Sequence, residues 1–187
     1  MNKEIEDCLA LNKSLKEHNL VKLTWGNASV LSAIHLEIYK AFPEIKSIIH
    51  SHSKFATSWA QALSPIPIVG TTHADYFLDD IPVARQLEES ELDEYEKNLG
   101  QSVVDFFQSS KINPLNIPAI LLPGHGVMVF SDSPQRTLEC AIVLEEIAEM
   151  AYYTKSINPH LKQSKLSRDL YTKHFERKNG INKYYGQ

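Results

Sequence analysis

Hydrophobic residues recur at intervals of three and four positions in six segments of the chain. This spacing places apolar side chains on one face of a helix and polar side chains on the other. It predicts helices over residues 3–18, 33–42, 55–63, 88–111, 133–153 and, approximately, 160–178. Pro43 is expected to end the second helix, because proline disfavours helical dihedral angles in the residue before it. Ser133 is the expected cap of the fifth helix, with Pro134 at its first position.

The predicted helix over residues 88–111 begins with a strongly acidic turn, which suits the positive end of a helix dipole. Its glutamates are interpreted as a solvated face. The apolar residues expected to point inward are Leu92, Tyr95, Leu99, Val103 and Phe106.

Short apolar runs lie between the predicted helices. They predict strands at residues 20–25, 28–31, 48–49, 68–69, 117–122 and 127–130. Short strands that alternate with helices favour a mixed α/β domain in which helices cover the sheet.

The chain has 187 residues, of which 43% are hydrophobic, which is enough for one well-packed domain and short for two. We therefore expect a single domain over residues 1–187. The formal net charge of −4 provides no basic surface for nucleic acid or an anionic membrane, so neither is expected as a partner.

The sequence contains no apolar run of membrane-spanning length, and its first residues are charged rather than apolar. The two cysteines, Cys8 and Cys140, lie in helical patterns and form no CxxC motif, so neither is a metal-ligand candidate. A cytoplasmic location is expected.

Three histidines follow predicted strands. His50 and His52 are two positions apart, so they project from the same side of a strand. His125 follows a second apolar run and is flanked by glycines. Three neutral imidazoles and one open position are what a catalytic zinc ion requires. A histidine at a strand end is also commonly a satisfied polar residue, and the spacing alone leaves the chemistry of such a site open.

Two further segments are candidates for ligand binding. Trp25, Gly26 and Asn27 form a possible ligand loop, although Asn beside Gly is also the usual composition of a hairpin turn. Asp75 lies in a polar loop that follows a predicted strand, where functional residues are often found. The alternative for Asp75 is a helix cap or a turn residue.

Taken together, five motifs in this order resemble the L-ribulose-5-phosphate 4-epimerases of the class II aldolase and epimerase family. The motifs are LTWGN at residues 23–27, HSHS at 50–53, GTTHADY at 70–76, GHG at 124–126, and KHF at 173–175 with YYGQ at 184–187. The resemblance runs from the first predicted helix to the last residue.

The resemblance implies a class II aldolase-like sandwich, with a central, largely antiparallel sheet covered by helices. It implies a zinc ion (Zn²⁺) held by His50, His52 and His125, and a homotetramer with active sites at subunit interfaces. The implied substrate is a small sugar phosphate. The implied reaction interconverts L-ribulose 5-phosphate and D-xylulose 5-phosphate by cleaving and remaking a carbon–carbon bond, with zinc as Lewis acid.

The family match also implies roles for individual residues. Asp75, and Tyr185 from a neighbouring chain, match the acid and base on opposite sides of the C4 oxygen, and His174 matches a functional position near that tyrosine. Asn27 matches a phosphate contact. Relative to the family, the segment between about residues 30 and 34 lacks roughly forty residues that supply most of the phosphate pocket and an acid beside the zinc.

The hypothesis favoured by the resemblance is therefore a zinc-dependent epimerase. Two alternatives stay open. One is a related class II sugar-phosphate aldolase that releases its aldehyde product. The other is a metal-binding relative that lacks the phosphate loop and no longer converts phosphosugars.

Overall fold

The computed structural model of the chain describes residues 28–161, 167–180 and 183–184. Its helices are α1 (Ala28–Ala41), α2 (Lys54–Gln61), α3 (Thr71–Ala74), α4 (Tyr95–Ser110), α5 (Pro134–Ile157) and α6 (Arg168–Asn179), and a 3-10 helix (Glu89–Glu94) precedes α4. Its strands are β1 (Ser47–Ser51), β2 (Ala119–Leu122) and β3 (Gly126–Ser131).

The three strands form an antiparallel sheet in the order β1-β3-β2. In the central strand β3, Met128 pairs with His50 of β1 on one side and Ile120 of β2 on the other. The tight connection between β2 and β3 therefore lies near the end of β1, at the edge where the histidines occur.

Helices cover both faces of this sheet. Leu121, Val127 and Val129 point to the layer that contains α2 and α5. Ile120 and Met128 point to the opposite layer, which contains α1 and α4. Alternate residues of one strand thus enter two separate cores, and this explains why β2 and β3 are continuous apolar runs.

The predicted fold class is confirmed, because the chain forms an α/β sandwich with a central antiparallel sheet between helices. The helices predicted over residues 33–42, 55–63 and 133–153 and the strands around residues 48–49, 117–122 and 127–130 are all present. Helix α1 ends one residue before Phe42, as Pro43 requires. The helix over 3–18 and the strand over 20–25 lie outside the described residues.

Four predictions about elements are wrong. The last helix begins at Arg168 rather than near residue 160, because Ser167 is its N-cap and accepts from the Leu170 N–H. Residues 28–31 are helical rather than a returning strand, because no breaking residue separates them from the rest of α1. Residues 68–69 form no strand, since the Ile68 N–H donates to Asp80 Oδ1 (2.7 Å) instead of to a neighbouring strand. The helix predicted over 88–111 begins as a 3-10 helix, whose shorter repeat takes Leu92 off the inward face and leaves it 53% exposed.

Within the described residues, no helix combines the length and the apolar character needed to cross a membrane.

Candidate metal centre and carboxylate cluster

The first two histidines lie at the end of β1. His50 is within the strand, and His52 follows its last residue. Their Nε2 atoms are 3.1 Å apart, which confirms that both side chains project to the same side. The strand alternation that predicted this arrangement therefore holds up to the point where the chain leaves the sheet.

The third histidine reaches the same place from the turn between β2 and β3. Gly124 has a φ of +67°, a conformation that favours glycine, and it allows the chain to reverse immediately before His125. The His125 ring centroid lies 4.9 Å from that of His50 and 4.8 Å from that of His52. One ring nitrogen from each of the three residues lies within 4.8 Å of the others.

Gly126 has no side chain, and this leaves room for the neighbouring histidine pair. A Cβ atom at this position would lie 2.6 Å from the backbone oxygen of Ser51 and 2.8 Å from Cδ2 of His52. Both distances are shorter than any ordinary contact. The approach of β3 to the histidines therefore requires glycine at position 126.

The donor set fits a metal ion. Nδ1 of His50 lies 3.0 Å from the Val127 carbonyl oxygen, so an N–H at Nδ1 donates to it and leaves the Nε2 lone pair for a metal. Ligands of a tetrahedral zinc ion at 2.0–2.1 Å are about 3.3 Å apart, close to the His50–His52 Nε2 separation. The three histidines can therefore hold a divalent metal.

The electrostatics of the site favour the neutral imidazoles that metals bind. Burial, with the neighbouring His125 as a smaller contribution, lowers the pKa of His50 to about 4. Burial also lowers the pKa of His125, and proximity to His52 adds to this effect. Both side chains are therefore uncharged at neutral pH before any metal binds.

A carboxylate from α5 fixes the segment that follows His52. The side chain of Ser53, at the N-cap of α2, makes no capping hydrogen bond. Instead, Glu145 accepts from the backbone N–H groups of Phe55 (2.7 Å) and Ala56 (3.0 Å). The first turn of α2 is thus tied to α5, and this tie sets where the chain departs from the histidine pair.

A second cluster forms around Asp75, which directly follows α3 and caps its C-terminus. Oδ1 of Asp75 accepts a hydrogen bond from Nδ1 of His174 on α6 (3.0 Å). Arg177, one turn further along α6, donates from Nη2 to both Asp75 oxygens at 3.1 Å. Asn179 donates to the Asp75 backbone oxygen (2.8 Å). Asp75 thus lies at the C-cap position of α3 through its backbone, and its side chain joins α3 to α6.

Beside this cluster lies a cleft with a volume of about 790 Å³. It is lined by Asp169, Thr172, Lys173, Glu176, Arg177, Gly180 and Tyr184. Arg177 both lines the cleft and holds Asp75, so it connects the two.

The structure brings together His50, His52 and His125, and separately it brings together Asp75 and His174. The predicted substrate contact Asn27 and the predicted acid–base residue Tyr185 lie outside the described residues. Sequence reasoning missed the capping role of Glu145, for which no local pattern exists. It also missed Arg177, which the three-residue spacing from His174 on one helix face could have indicated.

The fold and these geometries define an α/β protein that presents a three-histidine arrangement for a divalent metal. The chain belongs to the family described as the Class II Aldolase and Adducin N-terminal domain, whose sequence pattern matches residues 31–152. All three histidines and Asp75 lie within the matched region, whereas His174 and Tyr185 lie beyond it.

Solved structures share this fold at low sequence identity. An L-fuculose 1-phosphate aldolase aligns with a TM-score of 0.61 and 19% identity, over 77% of this chain and 62% of that one. The L-fuculose-1-phosphate aldolase from Thermus thermophilus gives 0.53 and 20%, over 75% and 68%. A sugar-phosphate aldolase from Thermotoga maritima gives 0.52 and 20%, over 69% and 55%. The chain thus spans less than two thirds of the first of these structures.

Proposed function

We propose that this protein is a zinc-dependent epimerase that interconverts L-ribulose 5-phosphate and D-xylulose 5-phosphate by retro-aldol and aldol chemistry. The observation that carries the proposal is the convergence of three histidines, with one ring nitrogen of each within 4.8 Å of the others, in a chain of the class II aldolase family. The GTTHADY and YYGQ motifs, which include Asp75 and Tyr185, favour the epimerase over a related aldolase.

In this proposal His50, His52 and His125 hold the zinc ion through one ring nitrogen each. The bound ion supplies Lewis-acid polarisation of the substrate ketone, which eases cleavage of the adjacent carbon–carbon bond. The protein contributes the neutral state of His50 and His125, and the hydrogen bond from His50 to Val127 fixes one ring before the ion arrives.

Asp75 and His174 act as a proton-transfer pair. Because Nδ1 of His174 is bonded to Asp75, the other ring nitrogen is the one that can exchange a proton with substrate. Inversion at a carbon requires proton transfer on both of its faces, and we assign the opposite face to Tyr185 of a neighbouring chain. Asn27 is proposed to contact the substrate phosphate.

We further propose that the chain acts as a homo-oligomer, a tetramer by resemblance to the family. Five large apolar residues of α5 are about half exposed or more, which a contact between chains would cover. They are Ile142, Met150, Tyr152, Tyr153 and Ile157.

A related class II aldolase is the second candidate, and the names of the solved structures favour it. Such an enzyme would cleave a phosphorylated ketose and release the aldehyde instead of adding it back to the other face.

Incubation of the zinc-loaded protein with L-ribulose 5-phosphate separates these functions. The epimerase produces D-xylulose 5-phosphate without accumulation of free aldehyde, whereas an aldolase releases aldehyde from this ketose or from L-fuculose 1-phosphate. If protein that holds stoichiometric zinc forms neither product, both the epimerase and the aldolase are contradicted. The metal-binding relative without sugar-phosphate activity is then the alternative that is left.

A further inference from the structure

The phenol of Tyr95 contacts the third histidine of the metal centre. Its hydroxyl oxygen is 3.1 Å from Nδ1 of His125. The two rings are nearly parallel, with an interplanar angle of 24° and centroids 6.0 Å apart. Tyr95 is the first residue of α4, so the contact joins a helix of one layer to the turn between β2 and β3.

We propose that Tyr95 is a positioning residue for the metal centre: its hydroxyl accepts the Nδ1 proton of His125 and directs Nε2 toward the ion. This inference rests on the proposed metal site. It assigns His125 the same protonation pattern as His50, whose Nδ1–H donates to the Val127 carbonyl oxygen. A histidine that binds a metal through one nitrogen commonly donates from the other, which fixes both the tautomer and the ring orientation.

The position of Tyr95 is itself fixed by the acidic segment before it. Glu88 and Glu91 form a capping box at the start of the 3-10 helix. The Arg85 guanidinium donates two hydrogen bonds, of 2.7 and 2.8 Å, to the carboxylate of Glu91. Asn98, in the first turn of α4, donates to the Glu91 backbone oxygen (2.8 Å). This hydrogen bond connects the 3-10 helix to α4 across the point where Tyr95 lies.

The direction of the hydrogen bond decides whether His125 can bind metal through Nε2. If the phenol donated to Nδ1, the imidazole would carry its proton on Nε2 and would offer no lone pair there. If the phenol accepts, Nε2 is free to bind. Without the Tyr95 hydroxyl, His125 loses the preference for the tautomer that carries its proton on Nδ1. A phenylalanine ring at position 95 still fills the same space.

The test is Tyr95→Phe, with Tyr171→Phe as the matched control. The Tyr171 hydroxyl is hydrogen-bonded as well, because it donates to the Ile68 backbone oxygen, but Tyr171 belongs to the cluster with Ile68 and Ala74 instead of the histidine site. Zinc affinity is measured by competition with a chelator, and long-range ¹H–¹⁵N spectra report the His125 tautomer with and without zinc. His125→Ala assigns the signals.

We expect Tyr95→Phe to weaken zinc binding about 10- to 100-fold and to reduce the Nδ1–H population of His125 in the metal-free protein. Tyr171→Phe should change neither. Unchanged affinity and an unchanged tautomer in Tyr95→Phe would overturn the inference, even where wild-type protein binds zinc. Failure of the wild type to bind zinc would instead contradict the proposed metal site, and the metal-free tautomer would still decide the role of Tyr95.

Discussion

Gly126 shows at the scale of one residue how the metal centre depends on backbone contact. The glycine directly precedes Val127, which pairs with Ser51 at the end of β1, and a Cβ at position 126 would collide with the backbone oxygen of Ser51 and the ring of His52. Sequence reasoning used this glycine only as a flank of His125. The close approach that requires it depends on the pairing of β1 with β3, which are separated by more than seventy positions and share no local signal.

Gly126→Ala should therefore shift His52 and weaken metal binding. We expect a loss of stability of about 1–3 kcal/mol, which is typical of overpacking, together with reduced zinc affinity. Urea unfolding and chelator competition measure the two effects. Gly70→Ala is the control, because a Cβ at Gly70 meets nothing within 4 Å and its φ of −152° is extended. Equal zinc affinity in Gly126→Ala and the wild type would contradict the close-contact argument.

The Asp75 carboxylate has a proposed role in proton transfer and also joins α3 to α6. Asp75→Asn removes the negative charge that pairs with Arg177 and strengthens the hydrogen bond from His174, and it replaces one of the two acceptor oxygens with an amide donor. We expect the proposed epimerase activity to be lost while zinc content stays at the wild-type level, measured on the same sample. Asp79→Asn is the control, because it disrupts an exposed ion pair with Arg168. Undiminished turnover in Asp75→Asn would remove Asp75 from the mechanism.

At the scale of the element, helix α2 begins just after the histidine pair and is capped by a side chain of α5, the other helix of its layer. The side chain of its N-cap residue, Ser53, makes no capping hydrogen bond, and Glu145 of α5 accepts from the first backbone N–H groups instead. Apolar periodicity predicted α2 within two residues at each end, because that signal is local. The cap was not predictable, since ninety positions separate Phe55 from Glu145.

Glu145→Ala should loosen the start of α2 and with it His52. We expect a loss of about 0.5–2 kcal/mol of stability, the usual cost of a lost helix cap, and a faster release of zinc to a chelator. Glu146→Ala, at an exposed neighbouring position on α5, should change neither quantity. Zinc release at the wild-type rate in Glu145→Ala would show that the cap does not position the histidines.

At the scale of the whole molecule, two cores separated by one sheet explain why the fold was predictable to the level of class. The alternation of short apolar runs with helical stripes reports burial on both faces of β2 and β3. The same patterns failed at residues 28–31 and 68–69, where a helix extension and a side-chain partner replaced strand pairing. Apolar pattern alone does not distinguish these outcomes.

Buried His73 links global stability to pH. Its Nε2–H donates to the Asp79 backbone oxygen (2.9 Å), and burial lowers its pKa to about 4. Between pH 6.5 and 4 the unfolded chain binds a proton at this site and the folded chain does not. The free energy of unfolding should therefore fall as the pH decreases through this range, by up to about 1.4 kcal/mol per pH unit from this group.

Urea unfolding of the metal-free protein at pH 7, 6 and 5 measures this slope. His73→Gln, which cannot titrate, should show a slope lower by about one proton. An identical slope in the variant and the wild type would show that His73 is not held neutral in the folded state.

The central claim is that His50, His52 and His125 together form a metal centre. Its most direct test is the zinc content of the purified, zinc-loaded protein, compared with His52→Ala and with His160→Ala at an exposed position. The account predicts about one zinc per chain in the wild type and in His160→Ala, and loss of that zinc in His52→Ala. Stoichiometric zinc in His52→Ala would contradict it.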